Sequence, residues 1–206
     1  MALLIARHGE TALNVARVVQ PPDTELSPRG QSQAESLGER LAREYRVQTI
    51  LTSDLARARR TAEQVAARLS LTLASSPDWR ERNFGVLRGR AYDSLGFDPV
   101  AMREAPEGGE SLEQFETRVA RAWAALVAQW ARLDPDHDFL LVTHGLVLRD
   151  LLEHHVADAA HTASRPLGNT ALVVVNLEGG PPRLALGPCT AHCDQAYSAA
   201  NRLGLV

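Results

Sequence analysis

Arg7-His8-Gly9-Glu10-Thr11 follows directly on the apolar run Ala2-Leu3-Leu4-Ile5-Ala6, and Asn14 stands three positions further on. Imidazole is a competent nucleophile near neutral pH because much of it is uncharged there. The arginine beside it offers a planar fork of donors suited to phosphate oxygens. The pairing points to phosphoryl transfer through a phosphohistidine. Two more polar clusters have the same form: Ser53 and Arg57 after a short apolar stretch, and Thr143-His144-Gly145 after Phe139-Leu140-Leu141-Val142. Two arginines and two histidines gathered round one anion would hold a phosphoryl group, and helix N-termini after those strands would add N–H donors and partial positive charge.

Parallel strands bring such clusters together, because right-handed crossovers put their carboxyl ends along one edge, where open α/β sheets bind ligands. The chain supplies the required alternation of apolar runs and helical periods. Ala2 to Ala6 reads as a buried strand. Ser27-Pro28 opens a helix in which Ala34, Leu37, Leu41 and Tyr45 recur at helical spacing. Thr49 to Thr52 is a short strand, Asp54 is positioned to cap the next helix (Leu55, Ala58, Ala62, Val65, Leu69), and Leu71 to Ser75 follows as a strand. Ser111 and Gln114 form a capping box that starts a long helix with the stripe Leu112, Phe115, Val119, Ala122, Leu126, Trp130 and Leu133, broken by Asp134-Pro135. Phe139 to Val142 is a buried strand and Gly145 to Leu152 a helix, while Thr170 to Leu177 and Arg183 to Leu186 read as strands joined through Glu178-Gly179-Gly180-Pro181-Pro182. Pro77 to Gly109 carries Trp79, Phe84, Tyr92, Phe97 and Met102 among glycines and prolines without a sustained period, which reads as a lid-like excursion over the site. The expected architecture is α/β: one doubly wound, mostly parallel sheet flanked by helices, with residues 1–206 forming a single domain.

At 206 residues, 45% hydrophobic and 23% charged, the chain suits one compact domain, which at this size buries about 70% of its chain surface. A net charge of −3 gives no global field for nucleic acid or an anionic membrane, so an anion must be held by local arginines. All 22 basic residues are Arg, which rules out Schiff-base chemistry and a Walker-type lysine. No apolar run reaches the length of a signal-peptide core or a membrane span, and Cys189 and Cys193 are too few for a disulfide framework. A cytoplasmic location is the expectation. His192 between the cysteines lacks the second ligand pair that zinc needs, so no metal is expected, and nothing calls for a nucleotide, flavin or other cofactor. His154, His155 and His161 read as surface or packing residues, and Glu10 and Glu110 as structural. Leu3, Leu4 and the terminal strands are candidates for an edge that pairs two subunits, although no pattern demands it.

Seven segments then fall into one order: RHGET with Asn14, LSPRGQSQA at 26–34, TSDLARARRTA at 52–62, RERNFG at 80–85, PEGGES at 106–111, THGLVLR at 143–149 and TAH at 190–192. Over nearly its whole length the chain resembles the histidine phosphatase superfamily, also called phosphoglycerate mutase-like. The resemblance implies that His8 is the phosphorylated nucleophile, that Arg7, Arg57 and His144 hold the phosphoryl group, that Asn14 contacts it, and that Glu81 is the proton donor. Arg59 and Arg60, beside Arg57, read as a solvated face, and Glu81 between Arg80 and Arg82 also fits an ordinary ion pair.

The implied function is a metal-independent phosphomonoesterase of the histidine acid phosphatase type, acting on small phosphorylated metabolites. The alternatives are a cofactor-dependent phosphoglycerate mutase and a catalytically inactive phosphate- or protein-binding module. Only 27 residues, Arg82 to Gly108, separate Glu81 from Gly109, whereas mutases of the family carry longer segments enclosing the substrate; that favours hydrolysis. The chain departs from the family pattern at Gln20-Pro21-Pro22, where many relatives have glycine after the glutamine, and at Leu87-Arg88-Gly89, which puts a cation where many have an acid. Arg88 reads as a replaced surface ion pair, with a second anion site as the alternative.

Overall fold

In the first apolar run, Leu3 and Ile5 point to one side and Leu4 and Ala6 to the other, and all four are fully buried. A strand buried on both faces belongs inside a sheet covered on both sides. A computed structural model of the chain describes residues 1–176 and 180–193 and has this arrangement. The strands are β1 (Ala2–Arg7), β2 (Val47–Ser53), β3 (Ala74–Ser76), β4 (Asp138–Thr143), β5 (Leu172–Asn176) and β6 (Arg183–Cys189). Among the described residues they form one sheet in the order β3-β2-β4-β1-β5-β6, in which β3, β2, β4 and β1 are mutually parallel, β5 is antiparallel to β1, and β6 is antiparallel to β5. β1 is therefore interior, and the edges are β3 and β6. The expectation that Leu3 and Leu4 mark a pairing edge is corrected: an edge strand would not be sealed on both faces and both sides.

The helices are α1 (Ala12–Val15), α2 (Pro28–Glu44), α3 (Ala56–Leu69), α4 (Leu112–Trp130), α5 (Gly145–Asp150), which runs into a π-helical turn at Leu151–His155, and α6 (Ala160–Ala163). On one face Leu37 and Leu41 of α2 and Ala58, Ala62 and Val65 of α3 join a core with Leu4, Ala6, Leu140 and Val142. On the other, Phe115, Val119, Leu126 and Trp130 of α4 join Leu3, Ile5, Phe139 and Leu141. No helix among the described residues is long and apolar enough to cross a membrane.

Local chemistry sets the boundaries. Ser27 Oγ accepts from Gly30 N at 3.0 Å, with Pro28 at the first helical position. Ser111 and Gln114 close the reciprocal box at 3.1 and 2.8 Å. Asp54 does not cap α3; Leu55 stands at the N-cap with no side-chain bond, because the Asp54 carboxylate is held by the Arg80 fork at 2.7 and 2.5 Å. The strand expected at Leu71 to Ser75 is confined to Ala74–Ser76. β5 starts at Leu172 and not at Thr170, whose φ of 56° is left-handed and incompatible with a strand. Leu177 and the Glu178-Gly179 part of the predicted hairpin connection lie outside the described residues.

Just past β1 the backbone meets the start of α2. A Cβ on Gly9 would stand 2.5 Å from Gly30 O, and one on Gly30 would stand 2.0 Å from Glu10 O. Only two glycines allow this crossing, which Ser27 N and Ser27 Oγ secure by donating to Glu10 O and Glu10 Oε1, both at 2.9 Å. Gly30→Ala is expected to destabilise the chain by about 3 kcal/mol, because backbone atoms cannot rotate away as a side chain can. A urea midpoint lowered at unchanged slope is the expected reading. An unaltered midpoint would mean that the crossing relaxes freely.

Candidate active site

The parallel register brings the three polar clusters to one end of the sheet, since β1 pairs with β4 as far as Arg7 opposite Thr143, and β2 pairs with β4 as far as Thr52 opposite Val142. His8 and His144 end with ring centroids 5.2 Å apart and planes inclined at 59°. Arg7, His8, Arg57 and Glu81 line one cavity of about 310 Å³, together with Gln20 and Pro22 and much of the predicted excursion, including Arg80, Phe84, Arg88 and Tyr92. The excursion thus covers the site. It is built of short 3₁₀ turns at Pro77–Trp79, Gly85–Leu87 and Tyr92–Ser94, and Trp79 and Phe84 are buried in the core beneath it.

His8 is 2% exposed. Its backbone is held by Thr143 O, by Thr170 N, and by Asn169 Nδ2 on its carbonyl at 3.2 Å. In the ring, Nδ1 stands 2.7 Å from Gly9 O. A carbonyl only accepts, so Nδ1 carries the proton and Nε2 keeps its lone pair. Burial, then the positive charges of Arg57 and Arg7, hold the His8 imidazole well below its usual 6.5, with the Gly9 bond opposing. The ring is neutral at physiological pH.

The cations are fixed in different ways. Arg7 donates from Nη1 to the Leu167 carbonyl, and Arg57 from Nη1 to Pro21 O at 3.2 Å. Burial lowers the Arg57 guanidinium to about 10, which still leaves it charged at neutral pH. The Gln20-Pro21-Pro22 segment, a departure from the family pattern, therefore orients Arg57, and Gln20 Oε1 accepts from Thr11 Oγ1 at 2.9 Å. His144 Nε2 is 2.8 Å from Ser53 Oγ, and its buried Nδ1 has no hydrogen-bond partner among the described residues. Burial and the nearby charges of Arg57, His8 and Arg7 keep His144 neutral as well.

Glu81 is placed by backbone amides. Leu146 N, in the first turn of α5, donates to Oε2 at 3.0 Å and Arg82 N to Oε1 at 3.0 Å. The ion-pair alternative for Glu81 does not hold, since Arg80 is taken by Asp54, while Arg82 donates to the carbonyls of Glu110, Val100 and Glu104. Burial raises the Glu81 carboxyl above its usual 4.5 although both amides and Arg57 pull the other way. Asn14 closes a small capping box with Thr11, and its buried Nδ2 has no partner among the described residues.

Glu10 and Glu110 are engaged within the fold: Glu10 accepts from Ser27, and Glu110, on the cavity wall, from Arg118 at 2.6 Å and Asn83 N at 2.9 Å. His154 and His155 flank Asp150, and His192 contacts Thr170 Oγ1 at 3.0 Å. Arg59 and Arg60 both reach Glu63 on the outer face of α3. The sequence reading missed Asn169, which ties Asn14 Oδ1 to the His8 carbonyl, each at 3.2 Å. Its signal was the polar Gly168-Asn169-Thr170 triplet just before a strand. Arg88 lines the cavity and makes no ion pair among the described residues, contrary to the surface-pair expectation.

Comparison with known proteins agrees with this geometry. A family model described as the histidine phosphatase superfamily (branch 1) matches residues 3–188. Phosphoglycerate mutase-like protein 4 of Arabidopsis thaliana is 33% identical over 166 residues, 73% of this chain and 69% of the relative. The structure of a mycobacterial glucosyl-3-phosphoglycerate phosphatase solved with VO3 superposes with a TM-score of 0.77 at 27% identity, covering 91% of this chain and 98% of the other. The alpha-ribazole phosphatase of Shigella flexneri superposes at 0.78 with 25% identity, covering 93% and 98%.

Proposed function

Because the chain belongs to the histidine phosphatase superfamily (branch 1), we propose that it is a metal-independent phosphomonoesterase that hydrolyses small phosphorylated metabolites through a phosphohistidine on His8. The observation that carries the reading is the neutral His8 ring, with Nδ1 held by Gly9 O at 2.7 Å and Nε2 left for attack in a cavity that also holds the Glu81 carboxyl, raised above its usual value by desolvation. Nε2 attacks phosphorus as the bond to the ester oxygen breaks, and protonated Glu81 gives its proton to the departing oxygen. Water then attacks the phosphohistidine, the Glu81 carboxylate takes the water's proton, and His8 leaves as a neutral imidazole. In the loose transition state charge spreads over the equatorial oxygens, where Arg7, Arg57 and the Asn14 amide supply donors in place of a metal. His144 joins them if the Ser53 hydroxyl donates to its Nε2: the proton of the neutral ring then sits on Nδ1, facing an acceptor it otherwise lacks.

Supporting names come from both branches of chemistry. The superposing structures are phosphatases, whereas the Arabidopsis relative is named mutase-like. Phosphate release from a panel of monoesters, with and without EDTA, is the test. Release that survives EDTA supports the proposal; isomerisation of 3-phosphoglycerate primed by 2,3-bisphosphoglycerate without net release supports a mutase; inactivity on every ester contradicts both.

The pH profile follows from the two shifts. Attack needs His8 without its extra proton, and departure needs Glu81 with its own. An unshifted pair, His near 6.5 and Glu near 4.5, would rarely hold both forms together. Here His8 is lowered and Glu81 raised, and both shifts increase the share of the working combination. kcat/KM is expected to be bell-shaped with a maximum on the acid side of neutrality. The part of the alkaline fall that Glu81→Gln removes belongs to Glu81, and an alkaline limb unchanged in that variant would contradict its role.

A further inference from the structure

Beyond the phosphoryl pocket, the cavity wall is unusually rich in arginine: Arg7, Arg57, Arg80, Arg82, Arg88 and Arg118 all line it. Five are engaged. Arg7 and Arg57 donate to the Leu167 and Pro21 carbonyls, Arg80 pairs with Asp54, Arg82 takes three backbone carbonyls, and Arg118 binds Glu110 and the carbonyls of Asp78 and Arg80. The acids of the wall are engaged too, Asp78 with Arg121, Glu110 with Arg118, and Glu81 with two amides. Arg88 is left over, its guanidinium without an ion pair or hydrogen bond among the described residues.

Its backbone is nonetheless fixed. Gly85 has φ 50° and is packed so closely that a Cβ would stand 2.0 Å from Glu107 O, and Gly89 has φ 80°. Between them Val86 N donates to Glu107 O at 3.0 Å, Gly89 N to Val19 O at 2.7 Å, and Val19 N to Arg90 O at 2.9 Å. These bonds clamp the turn against the Val18–Val19 segment, which lines the cavity itself. Tyr92, four residues on, also lines the cavity, and its hydroxyl has no hydrogen bond from the described residues. Burial, with Glu81 next, pushes that phenol up to about 12, so it remains a donor at any working pH. The charges of Arg88 and Arg57 act on one another with no carboxylate taken up by Arg88 to offset them.

We propose that Arg88, with the Tyr92 hydroxyl, forms a leaving-group subsite for a second anionic group, so that preferred substrates are phosphomonoesters whose leaving group carries a carboxylate or a second phosphate. The proposal rests on the phosphatase reading above. A cation on a fixed backbone turn, with no partner among the described residues, has its donors available for an acceptor that arrives with the substrate, and a guanidinium fork suits both carboxylate and phosphate.

The test is a ratio within each protein: kcat/KM for 3-phosphoglycerate over glycerol 3-phosphate, and for fructose 1,6-bisphosphate over fructose 6-phosphate. In the wild type at least one ratio is expected to reach about tenfold, the effect of one charge-assisted hydrogen-bonded contact. In Arg88→Gln that ratio falls towards one, and Arg88→Lys keeps part of it. The pair that responds tells carboxylate from phosphate. A ratio that is the same in wild type and Arg88→Gln overturns the subsite while leaving the phosphatase reading intact. A wild type that releases phosphate from no ester, 4-nitrophenyl phosphate included, overturns both.

Discussion

His8→Ala is expected to lower kcat by on the order of 10⁵-fold on every substrate, because it removes the atom proposed to accept the phosphoryl group. The charged donors Arg7 and Arg57 would still bind phosphate esters, so the loss falls on turnover and much less on inhibition by inorganic phosphate. Misfolding is not the cause anticipated, since the backbone bonds of residue 8 to Thr143, Thr170 and Asn169 do not use the imidazole. Stability gives an independent check. Folded His8 is neutral well below 6.5 whereas the unfolded chain takes up a proton there, so the wild type loses stability as pH falls from 6.5 through the folded value. His8→Ala removes that share and keeps the share due to His144. Urea titrations at pH 7.5 and pH 5 should therefore differ less in the variant. Residual turnover within tenfold of wild type would end the case for His8 as nucleophile.

Glu81→Gln should produce a loss that depends on the leaving group. For alkyl esters, whose alkoxide needs a proton, a decrease of about 10²- to 10⁴-fold is expected. For 4-nitrophenyl phosphate the first step needs no acid and proceeds, but the second step lacks the base that activates water. The variant should give a rapid burst of about one 4-nitrophenolate per chain followed by slow turnover. The amide side chain is nearly isosteric and still accepts from one of the Leu146 and Arg82 N–H groups, so the α5 terminus stays in place. Equal losses on alkyl and aryl esters with no burst would mean that Glu81 only shapes the pocket.

The parts of this account that were legible in the sequence are those written in local code. Ser27-Pro28 and the Ser111/Gln114 box declare helix starts through bonds three residues long. The alternation of Leu3, Leu4, Ile5 and Ala6 declares a strand covered on both faces. What the sequence hid depends on partners far along the chain. Asp54 has the form of a cap, yet a fork 26 residues away takes its carboxylate. Asn169 supports a histidine 161 positions distant. Glu81 stands between two arginines in sequence and pairs with neither, because folding delivers it to amide donors of Arg82 and α5. Arg88 is the converse: its neighbours suggest a surface pair, and the fold puts it on the cavity wall, where it makes no ion pair among the described residues.

The same geometry explains why burial and charge act together at the site. Removing His8 and His144 from water keeps both rings neutral next to two guanidinium groups, and the same exclusion raises Glu81. Each group is thereby biased towards the protonation state its proposed step requires before any substrate arrives.

The most direct test is to trap the phosphoenzyme. Glu81→Gln is mixed with 4-nitrophenyl phosphate, quenched in alkali during the slow phase, cleaved after arginine and analysed by mass spectrometry. His8 and His144 fall in separate peptides, His8 to Arg17 and Leu133 to Arg149. The account predicts an acid-labile, alkali-stable phosphoryl group on the His8 peptide at close to one per chain, absent in His8→Ala. Phosphate on the His144 peptide, or on none while the burst is seen, would contradict it.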